Sequence, residues 1–474
     1  MTDSGRRLFL SLCGAAAAIG MAAGCATALA PSSSSASPSL EDFPPIVFVH
    51  GNGDTAALWQ TTLWRFESNG WPQDRLHAID MPYPLARDDD TKMQPGRSST
   101  AEHMEHLKAE VEKMLQATGA RQMILMGNSR GGYPIRNYIQ NGGGGRTVSH
   151  AVLGGVPNHG VWATPGVREG SEFAGTGPFL QSLNTPKNAA GDEVVGPVKW
   201  LTIRSDNNDK FAQPDGLWIG SRGTPTNVTY AGPELKGATN VVIARIDHRE
   251  TSFSPAAFEA TYRFITGRDP ASKTIVPAER VVLAGKVTGL GVSSADSASG
   301  NFSNNLALPG ATLEIFATEP ATGERRGVAA YAKTIGPDGR WGPFVAQSAT
   351  PYEFVVAAPG YATTHVYRSP FPRSSNLVNL RPERIADADK SAPAIVTLIR
   401  PRGYFDPGRD KMAFDGQSPP PGAVLGAGVS SSKIKPAGAL ARPVVAEFNG
   451  ERITGRTWPV AAYPDHVTVL ELTY

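Results

Sequence analysis

In the stretch Ile124-Leu125-Met126-Gly127-Asn128-Ser129-Arg130-Gly131-Gly132, a hydrophobic strand runs straight into a G-x-S-x-G turn. A helix is expected over Tyr133–Ile139, with Pro134 tolerated in its first turn. Such a turn is tight, and its serine adopts strained backbone geometry that exposes Oγ at the edge of a sheet. Gly127 and Gly131 belong there because a Cβ at either would collide with the neighbouring strand and helix. The next backbone N–H falls at a helix start, where partial positive charge gathers. The pattern predicts a nucleophilic serine, Ser129, at the carboxyl end of a buried strand.

A second signal lies some eighty residues earlier, in Phe48-Val49-His50-Gly51-Asn52-Gly53-Asp54, at the end of the strand Ile46–Val49. An early HG turn can bring a backbone donor opposite the serine, as stabilising a developing oxyanion requires. The N–H groups of Asn52 and Arg130 are the candidates. A serine hydroxyl also needs a base. Of the nine histidines, His150, His159, His248, His365 and His466 follow Ser129. His150 stands at a strand's entry, and His365 and His466 fall in the β-rich tail and are expected at the surface. His248 follows the strand-like Val241–Ile246 and precedes a helix, which is where a base on a sheet-edge loop belongs. The acid is sought on the loop after Trp200–Ile203, Arg204-Ser205-Asp206-Asn207-Asn208-Asp209-Lys210-Phe211-Ala212-Gln213-Pro214. Asp209 is preferred because Phe211 and Ala212 would pack the loop down. Asp206 is its competitor, with turn formation as its other role.

The surrounding pattern supplies the rest of a sheet. Met104, Leu107, Val111, Met114 and Leu115 give residues 101–118 a helical apolar face. Gln122–Met126, Ala151–Leu153, Trp200–Ile203 and Val241–Ala244 are strand-like, and Ala256–Ile265 is a helix stopped by Gly267. Strands separated by helices imply a mostly parallel sheet with helices on both faces, an α/β domain over 44–270. Between strands, residues 158–198 form a Gly/Pro-rich excursion with a short helix expected around Phe173–Leu183; such loops roof sites. From 278 the pattern becomes short strands parted by turns, predicting an all-β region: a sandwich over 278–395 and a further β unit over 396–474.

The amino terminus reads differently. Arg6-Arg7 followed by Leu8-Phe9-Leu10 and a small-residue apolar stretch fits an export signal of the twin-arginine type over 1–30, with a Ser/Pro-rich linker over 31–43. This predicts a periplasmic or extracellular protein. Ala22-Ala23-Gly24-Cys25 also resembles a lipoprotein box, which would anchor the chain through Cys25. Cys13 and Cys25 are the only cysteines, so the mature body has no disulfide. A net charge of +2 offers no electrostatic case for nucleic acid. No dinucleotide or phosphate loop follows any strand and no metal-ligand cluster is visible, so no cofactor and no metal are expected.

Residues 44–270 resemble the bacterial lipase branch of the α/β-hydrolases. The motifs carrying the likeness are Phe48-Val49-His50-Gly51-Asn52-Gly53, Gly127-Asn128-Ser129-Arg130-Gly131-Gly132 and Leu153-Gly154-Gly155-Val156-Pro157-Asn158-His159-Gly160. The last is similar to that branch's L-G-T-P-H-x-G stretch and implies that His159 is structural, shaping the wall beside the site. Asn128 departs from the family's frequent histidine, and Arg130 from its usual apolar residue. Residues 281–360 resemble a carboxypeptidase-regulatory or collagen-adhesin B-type sandwich, through Gly285-Lys286-Val287, Leu308–Leu313, Asp338–Gly342 and Ala357–Tyr361. The resemblance implies a serine esterase or lipase acting on a lipid or ester substrate, with association at a lipid surface. A polyhydroxyalkanoate-type polyester depolymerase would carry the same elbow, and an inactive hydrolase-like surface binding protein is the rival of another class.

Overall fold

The computed structural model describes residues 43–212, 225–291, 302–426 and 428–474. The expected export signal, most of the linker, both cysteines and Gln213-Pro214 lie outside the described residues.

Six strands form one parallel sheet: β1 (Ile46–Val49), β2 (Leu76–Ile79), β3 (Met123–Asn128), β4 (Val148–Gly154), β5 (Lys199–Ser205) and β6 (Thr239–Ile243), in the order β2-β1-β3-β4-β5-β6. Residues such as Ile124 and Leu125 form a buried strand because both sheet faces are covered, so no polar alternation is needed. Val47, Val49, Met123 and Leu125 enter one core, while Ile46, Phe48, Ile124 and Met126 enter the other. The first core is closed by α2 (Thr100–Thr118), α3 (Gly132–Asn141) and α4 (Pro178–Asn184); the second by α1 (Gln60–Ser68) and α6 (Pro255–Thr266), with α5 (Glu250–Phe253) just before α6.

Local chemistry fixes the ends of these helices. Ser99 and Glu102 make a reciprocal capping box at the start of α2, and Gly119 ends it at φ 67°. Ser254 caps α6, Pro255 occupies its first turn, and Gly267 ends it at φ 70°. The expected helix around Phe173–Leu183 begins later, at Pro178. Residues before it are committed elsewhere: the Val161 N–H donates to the Phe173 carbonyl, and the Gly175 N–H to that of Trp162. Helix α1 and strand β2 had no counterpart in the sequence reading, because β2 is a four-residue edge strand with no clear apolar period.

The parallel register decides where the site lies. Val49 aligns with Gly127, Asn128 with Gly154, Gly154 with Ile203, and Ser205 with Ile243. The loops leaving β1, β3, β4, β5 and β6 therefore open on one edge. Strand order reverses between β1 and β3, so their exit loops diverge and leave a crevice there.

After α6 the chain has no further α-helix among the described residues. The expected break near 395 does not divide the sheet. Thr363–Arg368 pairs in parallel with His466–Glu471, which in turn pairs with Val396–Ile399, so both proposed β units share one seven-stranded sheet. The last strand inserts between the earlier ones and fills an edge that would otherwise be unpaired. His365 and His466 are consequently not simple surface residues. His365 is buried, its Nδ1 donates to Glu353 Oε1 at 2.6 Å, and Trp458 stacks on its ring.

Residues 43–474 make one compact unit. Helix α1 is the seam: Trp64 packs in the β-region core and donates to the Ser374 carbonyl at 2.7 Å. The Asn305 side chain donates to the carbonyls of Asp54 and Met81, and Lys286 pairs with Asp80.

Candidate active site

Ser129 follows β3 directly and holds φ at 54°, a conformation that side-chain-bearing residues rarely adopt. The turn tolerates no bulk. A Cβ on Gly127 would stand 2.8 Å from the Gly131 carbonyl, and one on Gly131 would stand 2.4 Å from the Val49 oxygen. Strain at the serine is held by this packing on both sides. Gly51 lies equally close, since a Cβ there would meet the Ser129 Cβ at 2.9 Å. The turn carrying Asn52 is thereby set against the serine.

His50 locks that turn. Its Nδ1–H donates to the Gly51 carbonyl at 2.8 Å, and its Nε2 accepts the Met81 N–H at 3.0 Å. Complete burial pushes the imidazole below its ordinary range, which suits this neutral bridging role. The Asn52 side chain accepts the Ala86 N–H at 2.8 Å, tying the same turn to the loop over residues 84–98.

His248 lies on the loop between β6 and α5. Its Nδ1–H donates to Asp209, with Oδ1 at 2.8 Å and Oδ2 at 2.9 Å. Asp209 is fully buried and also accepts the N–H groups of Phe211 and Ala212 on Oδ1. Phe211 then packs on the His248 ring, centroids 5.1 Å apart. Asp206 does something else. It is exposed and accepts the Arg245 N–H at 2.7 Å, holding that residue at φ 64°. Asp209, not Asp206, is the carboxylate against the imidazole.

The two departures from the family pattern have structural explanations. Asn128 Nδ2 donates to the carbonyls of Gly154 and His248, both at 3.1 Å, so it bridges the serine turn to the histidine loop. Arg130 is fully buried and its guanidinium makes a two-pronged pair with Glu172, at 2.6 and 2.7 Å. It also donates to Pro84 O, Ser98 Oγ and Ser98 O. One residue after the serine thus staples the 84–98 loop and the 158–198 excursion together.

Ser129, His248 and Asn52 line a cavity of about 720 Å³. Its apolar wall is Val161, Trp162 and Phe173, and its charged rim includes Arg87, Asp88, Asp89 and Arg168. The excursion divides in two: residues 157–173 face the cavity, while Leu180, Leu183, Val194 and Val198 belong to the core. His159 stands to one side, its Nε2 on Glu193 at 2.8 Å and its Nδ1 donating to the Gly232 carbonyl. His150 is on β4, at the end of the sheet away from the serine. The sequence reading missed the 84–98 wall and Tyr404, which reaches the cavity from the β region. Neither carries a local motif.

Residues 44–170 match the family model "Lipase (class 2)", and residues 279–385 match "Lipase C-terminal domain". Over these two stretches the chain is similar to class 2 lipases and to lipase C-terminal domains. Among curated proteins, the chain is 27% identical over 116 residues to the non-heme haloperoxidase of Rhodococcus erythropolis. That match covers 24% of the chain and only 37% of the relative's own length. Among solved structures it is similar to the Bacillus licheniformis lipase BlEst2 in its propeptide form, with 16% identity, TM-score 0.34, and coverage of 88% of this chain and 92% of that one. Aspergillus fumigatus lipase B is similar at 12% identity and TM-score 0.34, covering 49% of this chain and 55% of the other.

Proposed function

We propose that this hydrolase cleaves carboxylic esters, of the fatty-acyl or acylglycerol class, through an acyl-enzyme on Ser129. The observation that carries the reading is the cavity shared by Ser129 and His248, with Asp209 on the far nitrogen of the imidazole. Asp209 selects the tautomer in which Nδ1 holds the proton and Nε2 offers a lone pair. His248 accepts the Ser129 proton as Oγ attacks the ester carbonyl. The N–H groups of Asn52 and Arg130 receive the oxyanion of the tetrahedral intermediate. As the intermediate collapses, the imidazolium gives its proton to the departing alcohol. Water, deprotonated by the same ring, then releases the acid. The aromatic and aliphatic wall of Val161, Trp162 and Phe173 suits an acyl chain.

A fluorophosphonate probe tests this directly. The wild-type chain is expected to be labelled at Ser129 and to hydrolyse nitrophenyl esters, and Ser129→Ala to lose both, with turnover falling roughly ten-thousand-fold or more. An unlabelled wild-type chain that turns over no ester would end the proposal. Comparing emulsified triacylglycerol with polyhydroxyalkanoate identifies the ester class, with faster acylglycerol turnover expected. Export by the twin-arginine route is part of the same reading, and Arg6→Lys with Arg7→Lys is expected to retain the protein in the cytoplasm.

A further inference from the structure

The loop that presents His248 is gripped from the other end of the chain. Asp247, its immediate neighbour, is fully buried. Its Oδ1 accepts the N–H groups of Arg249 and Glu250, at 3.0 and 2.9 Å, which starts α5. Its Oδ2 accepts Arg400 Nη1 and the Tyr404 N–H, both at 2.9 Å. Arg400 Nη2 reaches Glu250 Oε1 at 2.6 Å, and Arg409 bonds to Glu250 Oε2 and lies 3.4 Å from Asp247. A fully buried carboxylate, Asp247, and a partly buried one, Glu250, are therefore matched beside the imidazole by two arginines from residues 400–409. Arg400 also donates to the Tyr404 carbonyl at 2.6 Å, which fixes the segment on which Tyr404 stands. The Tyr404 ring lies 5.1 Å from that of Phe211, which packs on His248.

We propose that Arg400 and Arg409 are positioning residues for His248, so that the β region sets the geometry of the base as well as packing on α1. The inference rests on the ester-hydrolase reading of the site. On the inner side His248 is held through its carbonyl, which accepts from Asn128 and, at 2.7 Å, from Thr251 Oγ1. On the outer side its fixed point is Asp247, and Asp247 is fixed by the arginines. Without them two like charges face each other, and the loop relaxes toward solvent. Reactive groups tolerate little such movement, since a displacement near 1 Å costs about a hundredfold in rate.

The test uses the full chain and the variants Arg409→Met, Arg409→Lys and Arg400→Met. Turnover of a soluble nitrophenyl ester, the rate and end point of fluorophosphonate labelling, and Tm are measured on each. Arg409→Met is expected to lower kcat and the labelling rate by about 10- to 100-fold. KM should stay within about twofold, labelling should still reach completion, and Arg409→Lys should recover part of the rate. A purely structural role gives the opposite pattern: a reduced end point that follows Tm, with the surviving molecules reacting at the wild-type rate. That result overturns the proposal, as do wild-type labelling rates in both methionine variants. If the wild-type chain itself is not labelled, the ester-hydrolase reading falls and this proposal falls with it. A labelled wild type with unaffected arginine variants removes only the positioning role.

Discussion

Arg130 and Glu172 form a two-pronged ion pair with both side chains out of solvent, one residue beyond the serine that the fold presents. Burial pushes the Glu172 carboxyl up and the adjacent Arg130 pulls it back, so the pair survives only because each partner answers the other. Three further acceptors complete the guanidinium, and the two walls of the cavity hang on it.

Arg130→Met should therefore cost about 3–5 kcal/mol, because it strands a buried carboxylate. The double variant Arg130→Met with Glu172→Met should be less damaging than either single change. Urea unfolding of the four proteins measures this, and a double variant as weak as the sum of the singles would refute it.

Asp209→Asn is expected to lower kcat by about ten-thousand-fold while leaving the fold intact, since the amide can favour the wrong imidazole tautomer. Asp206→Asn should change kcat by no more than a few-fold, because its carboxylate serves the Arg245 turn. Steady-state kinetics on one soluble ester separates the two aspartates. Equal losses in both would reopen the assignment of the acid.

Gly131→Ala places a methyl group 2.4 Å from the Val49 oxygen, and backbone cannot step aside as a flexible side chain can. A destabilisation of at least 1–3 kcal/mol is expected, about the size of an overpacked core. Gly166→Ala is the opposite control for space, because nothing lies within 4 Å of its added Cβ, although its φ of 78° still imposes strain. Tm values should rank Gly131→Ala well below Gly166→Ala.

The His159–Glu193 pair predicts a pH dependence of stability away from the serine. The hydrogen bond to Glu193 raises His159 above its ordinary value of 6.5, against the opposing effect of burial. A raised imidazole contributes stability that is fully present below 6.5 and lost as pH rises through its folded value. Burial pushes Glu193 up, but its bonds to His159 and the Lys236 N–H outweigh this and hold it below 4.5, so its own contribution fades as pH falls through that lower value. The Tm difference between wild type and His159→Gln should peak at about pH 5.5 and shrink by about pH 9. Because the imidazole is partly exposed, the effect should also weaken in high salt. A difference independent of pH would exclude the ion pair as its source.

Sequence alone determined the parts of this protein that depend on neighbours along the chain. The glycines flanking Ser129, the HG turn after β1, and the placing of Asp209 and His248 after strands all follow from local backbone demands. A parallel sheet then gathers such strand exits on one edge, so recognising the strands was enough to group the residues. Tertiary structure alone decided what depends on contacts across hundreds of positions. Arg130 looked like an odd substitution until Glu172 and Ser98 were found around it. Nothing in the spacing of residues 396–474 announced that they would complete the sheet begun at 312, or that Arg400, Tyr404 and Arg409 would close on Asp247 and Phe211. Charge pairing and apolar packing act through space, and a residue's order in the chain does not record which distant partner will neutralise it.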